Sequence, residues 1–304
     1  MRRLFRLALV LALPGLAAFW FITRPNPLPA DALVGLVADP AHGEQVFWAG
    51  GCASCHMTAG AKGDQMLELG GGQKFPSPFG TFIAPNISND PIQGVGGWSS
   101  DDLANAMMRG ISPEGTHYYP AFPYASYAKA TPQDVVDLRA YLATLPAVAT
   151  PSQPHEVGFP FNLRRTLGGW KFLFLNTDWV IAGDLTPDET RGRYLAEALG
   201  HCAECHTPRN LLGGLQRDQW LAGAPIPGAK GRFPNITPAR LKWSAAEIAD
   251  YLNTGFTPEY DSAGGHMALV VGNFARLSAE DRSAVAAYLK KVPPIETPAT
   301  APAR

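Results

Sequence analysis

All four cysteines of this 304-residue chain fall in two copies of one pattern, Cys52-Ala53-Ser54-Cys55-His56 and Cys202-Ala203-Glu204-Cys205-His206. Two thiols three residues apart on one helical turn reach the two vinyl groups of a porphyrin, and the next residue offers its imidazole to the iron from one face. The pattern predicts two covalently bound haem c groups, attached through Cys52, Cys55, Cys202 and Cys205, with His56 and His206 as axial ligands. A redox dithiol of the thioredoxin kind follows a strand in a βαβ unit, and neither copy has that context. Zinc would need ligands from both copies and gives no reason for a histidine directly after each second cysteine.

The second axial ligand separates the two halves. Counting 24 positions from Trp243 leads to Met267, and the same count from Trp98 leads to Phe122. A thioether is a soft ligand that raises the reduction potential, so Met267 opposite His206 predicts an electron-transfer haem. Phenylalanine cannot bind iron. Either His117, in the same loop, closes the first haem, or that face stays open to small ligands or chemistry. Met107 and Met108 are weaker substitutes because they fall on a predicted helix with a core-facing side.

The elements that must hold these residues are also duplicated. Pro85-Asn86-Ile87-Ser88 answers Pro234-Asn235-Ile236-Thr237. Trp98-Ser99 opens a helical segment stopped by Gly110, and Trp243-Ser244 opens one stopped by Gly255, with serine as N-cap and glycine at the C-terminus. Apolar periodicity predicts closing helices over 134–142 and 281–289, each ending in Ala-Tyr-Leu. The expected fold class is all-α: two tandem class I cytochrome c-like domains, at 31–148 and 186–294, joined by a packed connector at 149–185 and followed by a flexible tail at 295–304. Gly and Pro, 31 and 28 residues, suit loops wrapped round a large prosthetic group.

Residues 1–24 read as an export signal or an uncleaved membrane anchor: Arg2, Arg3 and Arg6 precede an uncharged run to Ile22 whose bulky end favours an anchor. Arginine placement puts the remainder outside the cytoplasm, on the periplasmic side. The formal net charge of −1 becomes −5 once Arg2, Arg3, Arg6 and Arg24 are set aside, which offers no case for nucleic acid.

These motifs, together with Thr207-Pro208-Arg209-Asn210, Gly94-Val95-Gly96-Gly97-Trp98-Ser99 and Tyr119-Pro120-Ala121-Phe122-Pro123-Tyr124, resemble the two-haem and three-haem cytochrome c proteins that include the cytochrome subunit of bacterial membrane-bound alcohol and gluconate dehydrogenases. The likeness runs over most of residues 40–292. It implies an electron relay: a periplasmic dehydrogenase as donor, a soluble cytochrome, terminal oxidase or quinone as acceptor, and attachment to the membrane through the N-terminal segment. The chain departs from that family at Phe122, where methionine is usual, and in having two haem motifs where the alcohol dehydrogenase subunit has three. The rival is a haem enzyme, peroxidase-like or oxidising sulfur compounds, with the first haem as its centre; beside Phe122 only His117, Tyr118 and Tyr119 offer acid-base groups.

Overall fold

The computed structural model describes the backbone of residues 2–297 and side chains from Ala12 onward. Helix α1 covers Arg2–Ile22. Among the described residues no helix is long and apolar enough to cross a membrane, so the expected anchor gains no support beyond the helical backbone. The helix ends by docking. Thr23 is buried, its hydroxyl accepts from Arg165 Nε at 2.8 Å, and the same guanidinium lies over the Trp20 ring.

The first domain begins with α2, Pro40–Ala49, whose N-cap Asp39 accepts from the backbone of Ala41 and His42 ahead of a proline at the first helical position. The short α3, Cys52–His56, carries the first haem motif. An antiparallel hairpin follows, β1 Lys74–Ser77 and β2 Gly80–Ile83, with Phe75 opposite Phe82. Next come α4, Ser100–Ala104, capped by Ser99 and Asp102 in a capping box, and a π-helical turn over Asn105–Arg109 that stops at left-handed Gly110. The domain ends with α5, Tyr124–Tyr127, and α6, Pro132–Leu142.

The connector holds α7, Thr166–Phe174, and touches both domains. Glu156 bridges to Thr81, Lys171 reaches the carbonyls of Arg109 and Gly110, and the Trp170 indole donates to Leu212 O at 2.9 Å.

The second domain repeats the plan with α8, Pro187–Arg193, widening into a π-helical turn over Tyr194–Leu199, then α9, Ala203–His206. A two-residue hairpin, β3 Ala224–Pro225 with β4 Arg232–Phe233, precedes α10, Ala245–Thr254, α11, Gly265–Phe274, and α12, Ala279–Lys291. The all-α expectation therefore holds for the framework but misses two small hairpins. They form where the loop after each haem motif must fold back on itself, and in the first the two phenylalanines pair across the strands. The expected flexible tail is fastened as far as Thr297, Asn235 Nδ2 donating to the Ile295 carbonyl and to the Thr297 hydroxyl; residues 298–304 lie outside the described part of the chain.

In each domain the first and last helices cross at a glycine. A Cβ on Gly43 would stand 2.0 Å from the Asp137 carbonyl oxygen, and one on Gly192 would stand 1.9 Å from that of Ala284. The absent side chains let α2 lie directly on α6, and α8 on α12. The crossings bury Phe47, Leu138, Leu195 and Val285, and removing this apolar surface from water is the main favourable term holding each domain together. Residues of both halves join one continuous apolar core. Two further links tie the domains: Thr131 N–H donates to the Tyr194 hydroxyl, and Asn273 Nδ2 donates to Ser54 Oγ at 2.7 Å.

Adding one methyl at either crossing forces the helices apart. Gly43→Ala and Gly192→Ala are each expected to cost roughly 3 kcal/mol, lowering the melting temperature of the haem-loaded protein by about 5–10 °C in far-ultraviolet circular dichroism. A melt identical to that of the parent protein would refute this account of the crossings.

Candidate functional site

Each motif helix ends in a histidine whose Nδ1 faces a proline carbonyl. His56 Nδ1 lies 2.9 Å from Pro85 O, and His206 Nδ1 lies 2.7 Å from Pro234 O. A carbonyl only accepts, so Nδ1 carries the hydrogen and Nε2 keeps its lone pair for a metal. Burial draws both imidazoles below their ordinary pKa, partly countered by the proline hydrogen bond. Both are thereby held neutral, the state a ligating imidazole needs.

The carbonyls are themselves held in place. Asn86 Nδ2 donates to Val148 O at 2.7 Å and Thr150 O at 2.8 Å, while its Oδ1 accepts from Ser88 N. Asn235 repeats the arrangement with Ile295 O at 2.7 Å and Thr237 N. The repeated Pro-Asn-Ile segment is thus a clamp between the chain beyond the closing helix and the haem motif.

Burial pushes Cys52 and Cys202 up to about 12, and Cys55 and Cys205 up to about 11. Reactive dithiols need the opposite shift. Two protonated thiols beside an imidazole whose Nε2 is free fit haem c in each half.

Matching bridges give the register between the halves. Ile111 pairs with His117, and Phe256 with Ser262. The Tyr118 and Ala263 amides then donate to the carbonyls of Gly110 and Gly255, each at 2.8 Å. His117 therefore corresponds to Ser262, and Phe122 to Met267. Met267 sits half-buried in the first turn of α11, against the core. Phe122 is wedged between Tyr118 and Tyr127, with ring centroids 5.8 Å from each.

His117 is 3 % exposed and spoken for at both nitrogens. Its Nε2 lies 2.9 Å from the Thr23 carbonyl, and its Nδ1 lies 3.0 Å from Lys171 Nζ. Nε2 is thus the donor and Nδ1 the acceptor. Burial lowers its pKa, with the positive charges of Lys171 and Arg165 adding to the effect; burial and Arg109 bring Lys171 itself down to about 7. The structure thus builds the candidate ligand His117 into a seam joining α1, α7 and the first domain. Met107 and Met108 are both buried on the π-helical turn. The partners Lys171 and Thr23 carry no sequence signal, since they reach His117 from 54 and 94 residues away.

The sequence pattern of the cytochrome c family matches residues 40–146 and 190–293. The chain is 56% identical over 290 residues to a "Diheme cytochrome c-type" protein of Cereibacter sphaeroides, covering 95% of this chain and 97% of that one. It is 35% identical over 275 residues to the fructose dehydrogenase cytochrome subunit of Gluconobacter japonicus, covering 88% of this chain and 55% of the other. With the gluconate 2-dehydrogenase cytochrome c subunit of Pantoea cypripedii it shares 32% identity over 263 residues, 82% of this chain and 58% of that subunit. The chain thus spans little more than half the length of either dehydrogenase subunit.

Because both ring nitrogens of His117 are engaged, His117→Ala is expected to leave the electron paramagnetic resonance signal of the ferric first haem unchanged. Leaving Lys171 and the Thr23 carbonyl unpaired costs about 1–3 kcal/mol of stability, readable in a thermal melt. A new high-spin signal in the variant would make His117 an iron ligand.

Proposed function

The chain belongs to the cytochrome c family, carries two covalently bound haem c groups and is an electron-transfer protein; from that premise we propose that it relays electrons from a dehydrogenase on the periplasmic side of the inner membrane to a soluble cytochrome or terminal oxidase. When bound, haem c supplies a one-electron ferric/ferrous couple. The protein's contribution is to hold that couple in two places and make them unequal. His56 and His206 occupy the same hydrogen-bonded geometry, so the halves differ instead at the register pair Phe122 and Met267, where Met267 would be the second ligand of one haem.

The observation that carries the reading is this duplicated histidine clamp with unlike partners. In the reading, Met267 ligates the second iron and raises its potential, which gives the electron a downhill direction from the first domain to the second. Cys52, Cys55, Cys202 and Cys205 attach the two groups. A dehydrogenase donor is supported by the relatives named as dehydrogenase cytochrome subunits. The periplasmic location and attachment through the N-terminal segment rest on the basic start and the apolar run to Ile22.

One observation favours a second role for the first haem. With His117 engaged at both nitrogens and phenylalanine at the register position of Met267, the loop that would supply a second ligand in the first domain presents no imidazole or thioether there. An exchangeable face would let the first haem bind a small ligand or carry out chemistry.

The relay is tested by photoreducing the purified protein with a flash-activated flavin and following the two haem α-bands. An electron delivered to the first haem is expected to pass on to the second. Met267→Ala lowers the second haem's midpoint potential, opens it to carbon monoxide and abolishes or reverses that transfer. Haems that never exchange electrons, in a protein that turns over hydrogen peroxide at the first one, would overturn the relay in favour of the enzyme.

A further inference from the structure

The residue before the first cysteine takes a left-handed backbone in both halves. In the first half it is Gly51, at φ +63°, which suits glycine; in the second it is His201, at φ +37°. The preceding glycines match in conformation, Gly50 and Gly200 both standing at φ −76° and ψ −7°. One backbone path is thus built twice. Glycine follows it freely, whereas an L side chain rarely adopts it. A histidine held in a conformation that favours glycine is a candidate for a role of its imidazole, which its contacts then define.

The imidazole points at the other half of the molecule. His201 Nε2 lies 3.3 Å from the carbonyl oxygen of Gly50, two residues before Cys52. That oxygen also accepts from the Tyr127 hydroxyl at 2.9 Å, and the Tyr127 ring meets the His201 ring edge-on at 5.6 Å between centroids. Burial lowers the pKa of His201 below the ordinary value, against the opposing pull of Glu204, so the ring is neutral and its Nε2 hydrogen is the donor to the carbonyl. Cys202, His201, Gly50, Gly51 and Cys52 therefore form a chain of covalent bonds interrupted by a single hydrogen bond. A second link, from Asn273 Nδ2 to Ser54 Oγ, lies within the first motif itself.

We propose that His201 is the positioning residue that sets the two haem attachment motifs against each other, through the Gly50 carbonyl and the Tyr127 ring, and so governs the rate of electron exchange between the two haem sites. The inference rests on the relay reading. It differs from the helix crossings, which hold each domain together, because it fixes one domain's motif relative to the other's. Electron exchange falls off exponentially with the separation of the two centres, so a link that fixes one motif against the other acts directly on the rate.

His201→Gly tests this with little risk to the fold, because it installs the residue that the first half uses on the same backbone path. Haem content and both midpoint potentials are expected to stay as in the parent protein. Inter-haem exchange after flash photoreduction is expected to slow severalfold, and the spin–spin coupling of the two ferric irons to weaken. Two companions separate hydrogen bonding from packing: His201→Gln, whose amide N–H reaches for Gly50, restores most of the rate, while His201→Leu, which packs on Tyr127 without a donor, does not. Exchange and coupling that match the parent in His201→Gly, or that are equal in the Gln and Leu variants, would overturn the proposal while leaving the relay standing. Absence of exchange in the parent protein would instead remove the relay and this proposal with it.

Discussion

The proline carbonyl that accepts from each motif histidine is the constraint on which most of the architecture depends. An imidazole can present either nitrogen to a metal, and its ring can swing about χ1 and χ2. A hydrogen bond at Nδ1 settles both choices at once, freeing Nε2 and fixing the ring plane. That bond works only if the carbonyl stands still. Asn86 and Asn235 supply the rigidity by cross-linking the Pro-Asn-Ile loop to the chain just past the closing helix. The closing helix is in turn positioned by its glycine crossing with the helix that leads into the haem motif. Loop, closing helix and motif form a closed circuit in each domain, so a shift at the crossing reaches the imidazole.

The chemistry-bearing residues were legible in the sequence because the pattern is short-range: five consecutive residues suffice for each attachment motif. Repeats over longer spans revealed the Pro-Asn-Ile segments as counterparts, yet not what the asparagines do, since their acceptors lie about sixty residues onward. The serine caps and the glycine stops after α10 and the π-helical turn were readable from local propensity alone. The π-helical turns over 105–109 and 194–199 were not, since no local propensity distinguishes them from the helices they extend. The hairpins escaped the all-α reading because a strand of two or four residues leaves no period to detect.

His117 shows the opposite limit. Its residue type and loop position recommended it as a ligand, and nothing nearby in sequence argued against that. Its actual partners come from the end of the N-terminal helix and from the connector, and tertiary contacts at that separation carry no local pattern. The register between halves could have warned of this. His117 answers Ser262, whereas the methionine of the second half answers Phe122.

The asymmetry of the two halves follows from where the rest of the chain lies. In the first domain the loop 111–124 is covered by Thr23, Arg164 and Lys171, which bind His117 at its side chain or carbonyl. Among the described residues the equivalent loop of the second domain has no such cover, and Phe256 and Tyr260 are exposed on it. A loop fastened from outside does not need an iron bond to order it, and Phe122 sits in it as an aromatic group packed between Tyr118 and Tyr127. A loop without that cover would gain order from a bond between Met267 and iron, the ligation proposed for the second haem. The N-terminal segment and the connector thus cover one of the two duplicated loops and leave the other open, and under the proposed ligation that difference in cover goes with the difference in iron ligands.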